Sequence, residues 1–167
     1  MERLIDFGAG PTGDWSVVND GVMGGRSSST LRGDSPGPGV FEGYLSLENN
    51  GGFASARTAV EEGALAGASR VVLRVRGDGK RYQLRLRPGR RLDGVAWAAG
   101  FETPVDRWTT VALPLDAFEP TFRGTRPRGV GPLEPDRVGQ VGIMLTDRQE
   151  GPFRLEIEWI GVERQSP

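Results

Sequence analysis

Apolar and polar residues alternate with a period of two along much of this chain. Val71, Leu73 and Val75 interleave with Arg74 and Arg76, and Tyr82, Leu84 and Leu86 interleave with Arg81, Gln83, Arg85 and Arg87. Phe153, Leu155, Ile157 and Trp159 interleave in the same way with Glu156 and Glu158. Such alternation sends successive side chains to opposite faces, as in a half-buried β-strand. The runs 27–31, 40–47, 52–58, 70–76, 81–87, 95–101, 108–113, 138–145 and 153–162 therefore predict nine strands. The 26 glycines and 12 prolines punctuate these runs and leave little room for helix. Only 60–68 and 115–118 offer helical turns, and Gly63 and Gly67 weaken the first. The pattern predicts an all-β protein, a two-layer antiparallel β-sandwich of jelly-roll type. Apolar runs are spread evenly over 167 residues with no linker, which predicts a single domain over 1–167. The loosest segments are expected at 33–39 and 123–135, and the ends 1–11 and 165–167 are expected to fray unless Ile5 or Phe7 docks.

The segment Gly77-Asp78-Gly79-Lys80 reads as a hairpin loop. With Arg76 opposite Arg81, Val75 meets Tyr82 and Leu73 meets Leu84 on the core face. The other face then carries Arg74, Arg76, Arg81, Gln83 and Arg85 together, and like charges in such proximity call for a counter-charge. Two sources are open. Glu156 and Glu158 can neutralise the arginines from a neighbouring strand, or the face can receive an anionic or polyhydroxylated ligand or an acidic protein segment, with Arg74, Arg76 and Arg85 as binding residues. Trp15, Trp108 and Trp159 are expected in the core. Trp97, flanked by alanines and following the arginine-rich loop 88–91, either fills a core gap or stands in a groove as a stacking platform.

Composition narrows the chemistry. The chain has no histidine and no cysteine, which removes the Ser-His-Asp triad, the usual zinc ligands, thiolate nucleophiles and disulfides. Ser27, Ser28 and Ser29 would need Lys80 as a base, and paired-carboxylate chemistry would have to draw on Asp20, Asp78, Glu102 or Asp147. Residues 21–28 miss the phosphate-loop spacing, with Arg26 in place of its lysine. The reading is a non-enzyme without cofactor or metal. The 21 basic and 22 acidic residues give a net charge of −1, so no global field gathers nucleic acid. No stretch of 18 apolar residues and no signal-peptide core occurs, and the chain is read as soluble and cytoplasmic without a transmembrane segment.

The most informative segment is the elbow Asn19-Asp20-Gly21-Val22-Met23-Gly24-Gly25-Arg26-Ser27-Ser28-Ser29, where Asp-Gly favours a turn and Gly24-Gly25 lets the backbone pass close to its neighbours. With Asn50-Gly51-Gly52-Phe53-Ala54-Ser55-Ala56-Arg57, Gly77 to Tyr82, Phe101, Trp108, Pro114-Leu115-Asp116-Ala117-Phe118, Gly142-Ile143, Asp147, Gln149 and Gly151-Pro152-Phe153, it resembles the family of the thirty-kilodalton intermediate-associated protein of respiratory complex I. The resemblance runs almost end to end. It implies a galactose-binding-like β-sandwich and a role in complex I assembly through a protein partner such as an immature respiratory subunit, with no catalytic residues to carry over. A carbohydrate-binding module is the alternative, by analogy of fold.

In the elbow, Asp20 either caps its own turn and the loop amides, with Arg57 bonding loop carbonyls, or Asn19, Asp20, Arg26 and Arg57 line a ligand pocket at one end of the sandwich.

Overall fold

The computed structural model describes residues 1–9, 15–33, 37–89 and 94–164. Residues 34–36 of an expected loose segment, 10–11 and 165–167 of the ends expected to fray, and 90–91 of the arginine-rich loop lie outside them.

Twelve strands occur among the described residues: β1 (Glu2–Asp6), β2 (Ser16–Asn19), β3 (Ser28–Arg32), β4 (Gly39–Leu45), β5 (Ala54–Ala59), β6 (Ala68–Arg76), β7 (Arg81–Pro88), β8 (Ala96–Glu102), β9 (Trp108–Pro114), β10 (Glu119–Thr121), β11 (Val138–Leu145) and β12 (Gly151–Arg164). They form two antiparallel sheets. The first runs β3-β4-β12-β6-β9, with β1 paired to the far half of β12, and the second runs β10-β8-β7-β11-β5-β2. The all-β sandwich expected from alternation is the fold observed.

All nine predicted runs are strands, and the three that were not predicted are short. β1 owes its conformation to its partner, pairing Glu2 to Asp6 with Val162 to Trp159, and Ile5 and Phe7 dock in the core. β2 and β10 are edge strands of four and three residues, too brief for a period to show. Residues 62–67 form successive turns around the buried Leu65 rather than a helix, and 115–117 make one 3-10 turn.

The inner faces meet in a continuous apolar core. Val71, Leu73 and Val75 from β6 pack there with Tyr82, Leu84 and Leu86 from β7 and with Val141, Ile143 and Leu145 from β11. Within each layer a ring contact joins neighbouring strands on the core side, Phe41 with Phe153 (5.0 Å) in the first sheet and Tyr82 with Phe101 (6.2 Å) in the second.

The hairpin expected at 77–80 does not form. β6 pairs with β12 and β9 in the first sheet, whereas β7 pairs with β11 and β8 in the second, so the connection crosses between layers. Alternation alone permits either arrangement, because the inward set is the same in both. The crossing is held locally: a Cβ on Gly77 would lie 2.2 Å from Thr103 Cβ, and Asp78 accepts hydrogen bonds from Tyr82 Oη (3.0 Å) and the Arg154 amide (2.8 Å). Burial, reinforced by the Asp78 charge, pushes the Tyr82 phenol well above its ordinary pKa.

Two tryptophans also leave the expected core. The β12 register shifts between Ile157 and Trp159, so Ile160 and Val162 turn inward and Trp159 turns out beneath the Arg3 guanidinium, 5.1 Å from its ring. Trp108 lies opposite Arg76 on the outer face of the first sheet, with Arg76 5.2 Å above its ring. Trp15 packs against the core and stacks on Phe7 at 5.9 Å, as expected.

Candidate functional site

The elbow and the segments 50–54, 77–81 and 147–153 gather at one end of the sandwich, with Asp20 at the centre of the first two, whereas 114–118 lies at the other end, where Pro114 pairs with Arg70 at the start of β6. Asp20 is 1% exposed. Oδ1 accepts from the Ser27 amide (2.8 Å), while Oδ2 accepts from Ser27 Oγ (2.5 Å) and from the amides of Gly52 (2.7 Å) and Phe53 (3.3 Å). Burial pushes the carboxyl up, but the hydrogen bonds from Ser27, Gly52 and Phe53 outweigh it and hold its pKa below the ordinary value. The glycines follow from this arrangement. A Cβ on Gly25 would stand 2.4 Å from Asp20 Cγ and one on Gly51 2.5 Å from Oδ2, while Gly24 turns the chain at φ +88°. Asp20 thus stitches the elbow to the 51–53 loop and caps both.

Asn19 has a parallel role, its Oδ1 accepting from Ser29 Oγ (2.7 Å) and the Ser55 amide (3.3 Å). Gln149 does the same on the far side of the end, accepting from the Arg81 amide (2.9 Å) and donating to the carbonyls of Arg81 (2.8 Å) and Thr146 (2.7 Å). Around these ties stands an exposed charged rim, with Arg26 facing Glu48 at 3.6 Å and Arg81 facing Asp147 at 3.6 Å. Ser27 Oγ is committed to Asp20 and to the Ser46 backbone. Among the described residues no group of three or more Asp or Glu side chains could hold a metal ion.

Arg57 does not join this end. It sits on the outer face of the second sheet, opposite Ser16 of β2 and Gly142 of β11, and Arg85 lies on the other side of Gly142. The basic face expected to carry Arg74, Arg76 and Arg85 is therefore two faces on two sheets.

On the first sheet the arginines are neutralised within the fold. Arg76 Nε meets Glu156 at 2.5 Å, Arg154 bridges Glu42 (2.7 Å) and Glu156 (3.1 Å), and Arg74 approaches Glu158 at 3.8 Å. The hydrogen bond from Arg76, with that from Arg154, lowers the Glu156 pKa against the opposing effect of burial.

On the second sheet Arg85 and Arg87, each 9% exposed, lie beside Arg57. Arg87 and Gln149 are visible in the sequence, one in the alternation and one among the family segments, but nothing there singles them out as site residues. Their destinations depend on which strands pair. Trp97 turns toward the core from β8 and its Nε1 donates to the Gly131 carbonyl (3.3 Å), so it fills a gap and does not offer a platform.

Among the described residues no helix is long and apolar enough to cross a membrane. In fold, the chain is similar to the family 11 carbohydrate-binding module of a Clostridium thermocellum cellulosomal cellulase. The TM-score is 0.73 over 99% of this chain and 97% of that one, at 14% identity. It is also similar to part of an exo-β-agarase, with a TM-score of 0.61 over all of this chain and 26% of that one, at 11% identity. Identities this low speak for the fold alone.

In sequence, the chain is 29% identical to the mitochondrial complex I intermediate-associated protein 30 of Mus musculus over 89% of its length. It is 26% identical to the probable Caenorhabditis elegans counterpart over 97%. The chain spans about half the length of these relatives, 51% of each. Both are named mitochondrial, which overturns the cytoplasmic expectation; that expectation rested on the lack of apolar stretches, a property common to soluble proteins of any compartment. The family model for complex I intermediate-associated protein 30 matches residues 5–157, and the chain belongs to that family.

Proposed function

We propose that this chain is a non-catalytic binding module that serves complex I assembly by holding a protein partner at the loop end of the sandwich. The observation that carries the reading is the convergence of the family's glycine-rich segments on one end, where Asp20, Asn19 and Gln149 bond backbone groups and, in the first two, serine hydroxyls. Such a site is rigid, and its buried groups are already hydrogen-bonded. What it offers outward is a rim of mixed charge, Arg26, Glu48, Asp147, Arg148 and Glu150, of the kind that orients a protein partner. A sugar platform finds less support. Trp97 is turned inward, Trp108 and Trp159 lie beneath guanidinium groups, and of the large exposed rings among the described residues Tyr44 is on β4 of the first sheet while Phe122 follows β10 of the second in a turn with Thr125.

The test is affinity capture with the tagged chain from cells that build complex I, followed by identification of the retained proteins. Complex I subunits should be retained by the wild type and lost with Arg26→Glu plus Arg148→Glu, while stability stays within about 0.5 kcal/mol, as for exposed substitutions. A folded wild-type bait that retains no complex I subunit refutes the reading.

A further inference from the structure

The two outer faces treat their arginines in opposite ways. On the first sheet Arg32, Arg70, Arg74, Arg76 and Arg154 each reach a carboxylate. On the second, Arg85 and Arg87 project from the same side of β7 and are 9% exposed, yet neither is ion-paired to a described carboxylate. Arg85 Nη1 donates to Gln83 Oε1 (3.0 Å), but the buried Nε of Arg85 and of Arg87 have no hydrogen-bond partner among the described residues. Gln140, which faces Arg87 from β11, has a buried Oε1 in the same condition. Burial, together with the charge of nearby Arg57, lowers the pKa of both arginines to about 10. Both remain protonated at neutral pH, so the cluster keeps its positive charge. Buried charge and buried polar atoms without partners are among the most costly arrangements a fold can hold, and where they gather they mark a missing partner.

The surroundings leave room for one. Gly142 stands between Arg57 and Arg85 and Ala98 lies on the other side of Arg85, so the two strands flanking Arg85 carry nothing larger than a methyl group in its row; in the next row Gln83 has Gly100 on one side and Met144 on the other. Gly100 is exposed, and Ala98 and Gln83 are half-buried, which opens the rows to solvent.

We propose that Arg85 and Arg87, with Gln83 and Gln140 beside them, bind the phosphate group of a small phosphomonoester. Two adjacent guanidinium forks present more N–H donors than the two oxygens of one planar carboxylate accept, whereas a tetrahedral dianion takes both forks and matches their charge. Gln140 Oε1 accepts from a protonated phosphate oxygen or from a hydroxyl next to the ester. The two arginines are nine-tenths buried, so a compact group reaches them more readily than a flat macromolecular surface. The site is separate from the loop end, so phosphate binding and partner capture can fail independently.

Thermal unfolding in rising inorganic phosphate, against sodium chloride of equal ionic strength, is the first measurement. Calorimetric titration with glucose 6-phosphate, glucose and acetate is the second. Phosphate should raise the midpoint saturably, and glucose 6-phosphate should bind while glucose does not and acetate binds more weakly. Arg85→Gln and Arg87→Gln should each weaken glucose 6-phosphate at least about tenfold, as expected for loss of a charge-assisted fork. In phosphate-free buffer both variants should unfold at or above the wild-type midpoint, because each removes an unpaired buried charge. Arg87→Lys, which keeps the charge and loses the fork, should fold and bind more weakly than the wild type. The proposal is overturned by a phosphate midpoint equal to the chloride control, by unchanged affinity in the variants, by acetate binding as tightly as the phosphoester, or by destabilised glutamine variants without phosphate, which would mean that the arginines are paired internally.

Discussion

Removing the Asp20 carboxylate is the most direct assault on the loop end. In Asp20→Ala the amides of Ser27, Gly52 and Phe53 lose their acceptor together, while Ser27 Oγ keeps the Ser46 backbone. An unsatisfied buried donor costs roughly 1–3 kcal/mol. Three of them, one starting from a long 3.3 Å bond, set an expected loss of about 4 kcal/mol, a large share of the roughly 5–15 kcal/mol that stabilises a domain. For a chain of this size that is a fall of roughly 8–16 °C in midpoint, read by calorimetry and by urea unfolding with an unchanged m value. Asp20→Asn keeps one acceptor oxygen and should lose less.

The sign with pH follows from the lowered pKa of Asp20. The carboxylate's contribution is complete above the unfolded value near 3.8 and disappears as pH falls through the lower native value, so the gap between wild type and Asp20→Asn should narrow in acid. The crowding of Gly25 against Asp20 adds a second reading: Gly25→Ala should cost less in the Asp20→Ala background than in the wild type, because Asp20 Cγ and Oδ1 are gone while its Cβ, 2.7 Å away, remains. A midpoint for Asp20→Ala within about 2 °C of wild type would sink the reasoning, since it would mean that water satisfies all three amides.

Three other outcomes are expected. Gly24→Val should cost about 1–3 kcal/mol, because a β-branched residue is forced to φ +88°; urea unfolding measures it. Glu156→Gln should cost about 1–3 kcal/mol at neutral pH by weakening the bonds from Arg76 and Arg154, and the difference should fade as pH drops below the ordinary carboxyl value of 4.5, because the native carboxyl is held lower. Arg74→Glu and Arg85→Glu should be additive within about 0.5 kcal/mol in a double-mutant cycle, since the residues lie on the outer faces of different sheets; a larger coupling would favour the hairpin that alternation suggested.

Nine of the twelve described strands, and the facing of most of their side chains, were legible in the sequence. Alternation in 70–76, 81–87 and 138–145 named the inward residues of β6, β7 and β11 correctly, because the two-residue period of an extended chain is a local property. The glycines around Asp20 likewise announced a close backbone approach, and the segments carrying the family resemblance needed no coordinates. Tertiary structure decided what those strands meet. Gly77 to Lys80 could close a hairpin or cross between sheets with the same residues buried, and only packing against Thr103 and the Asp78 bonds to Tyr82 and Arg154 selects the crossing. One bulge at Glu158 reversed the facing of Trp159, a change of a single residue in register that no alternation count contains. The arginines show the difference most plainly. Their spacing marked Arg74, Arg76 and Arg85 as facing away from the core, but whether a guanidinium finds a carboxylate depends on the strand beside it. In the first sheet β12 supplies Glu156 and Glu158, whereas in the second β11 and β8 flank Arg85 with Gly142 and Ala98.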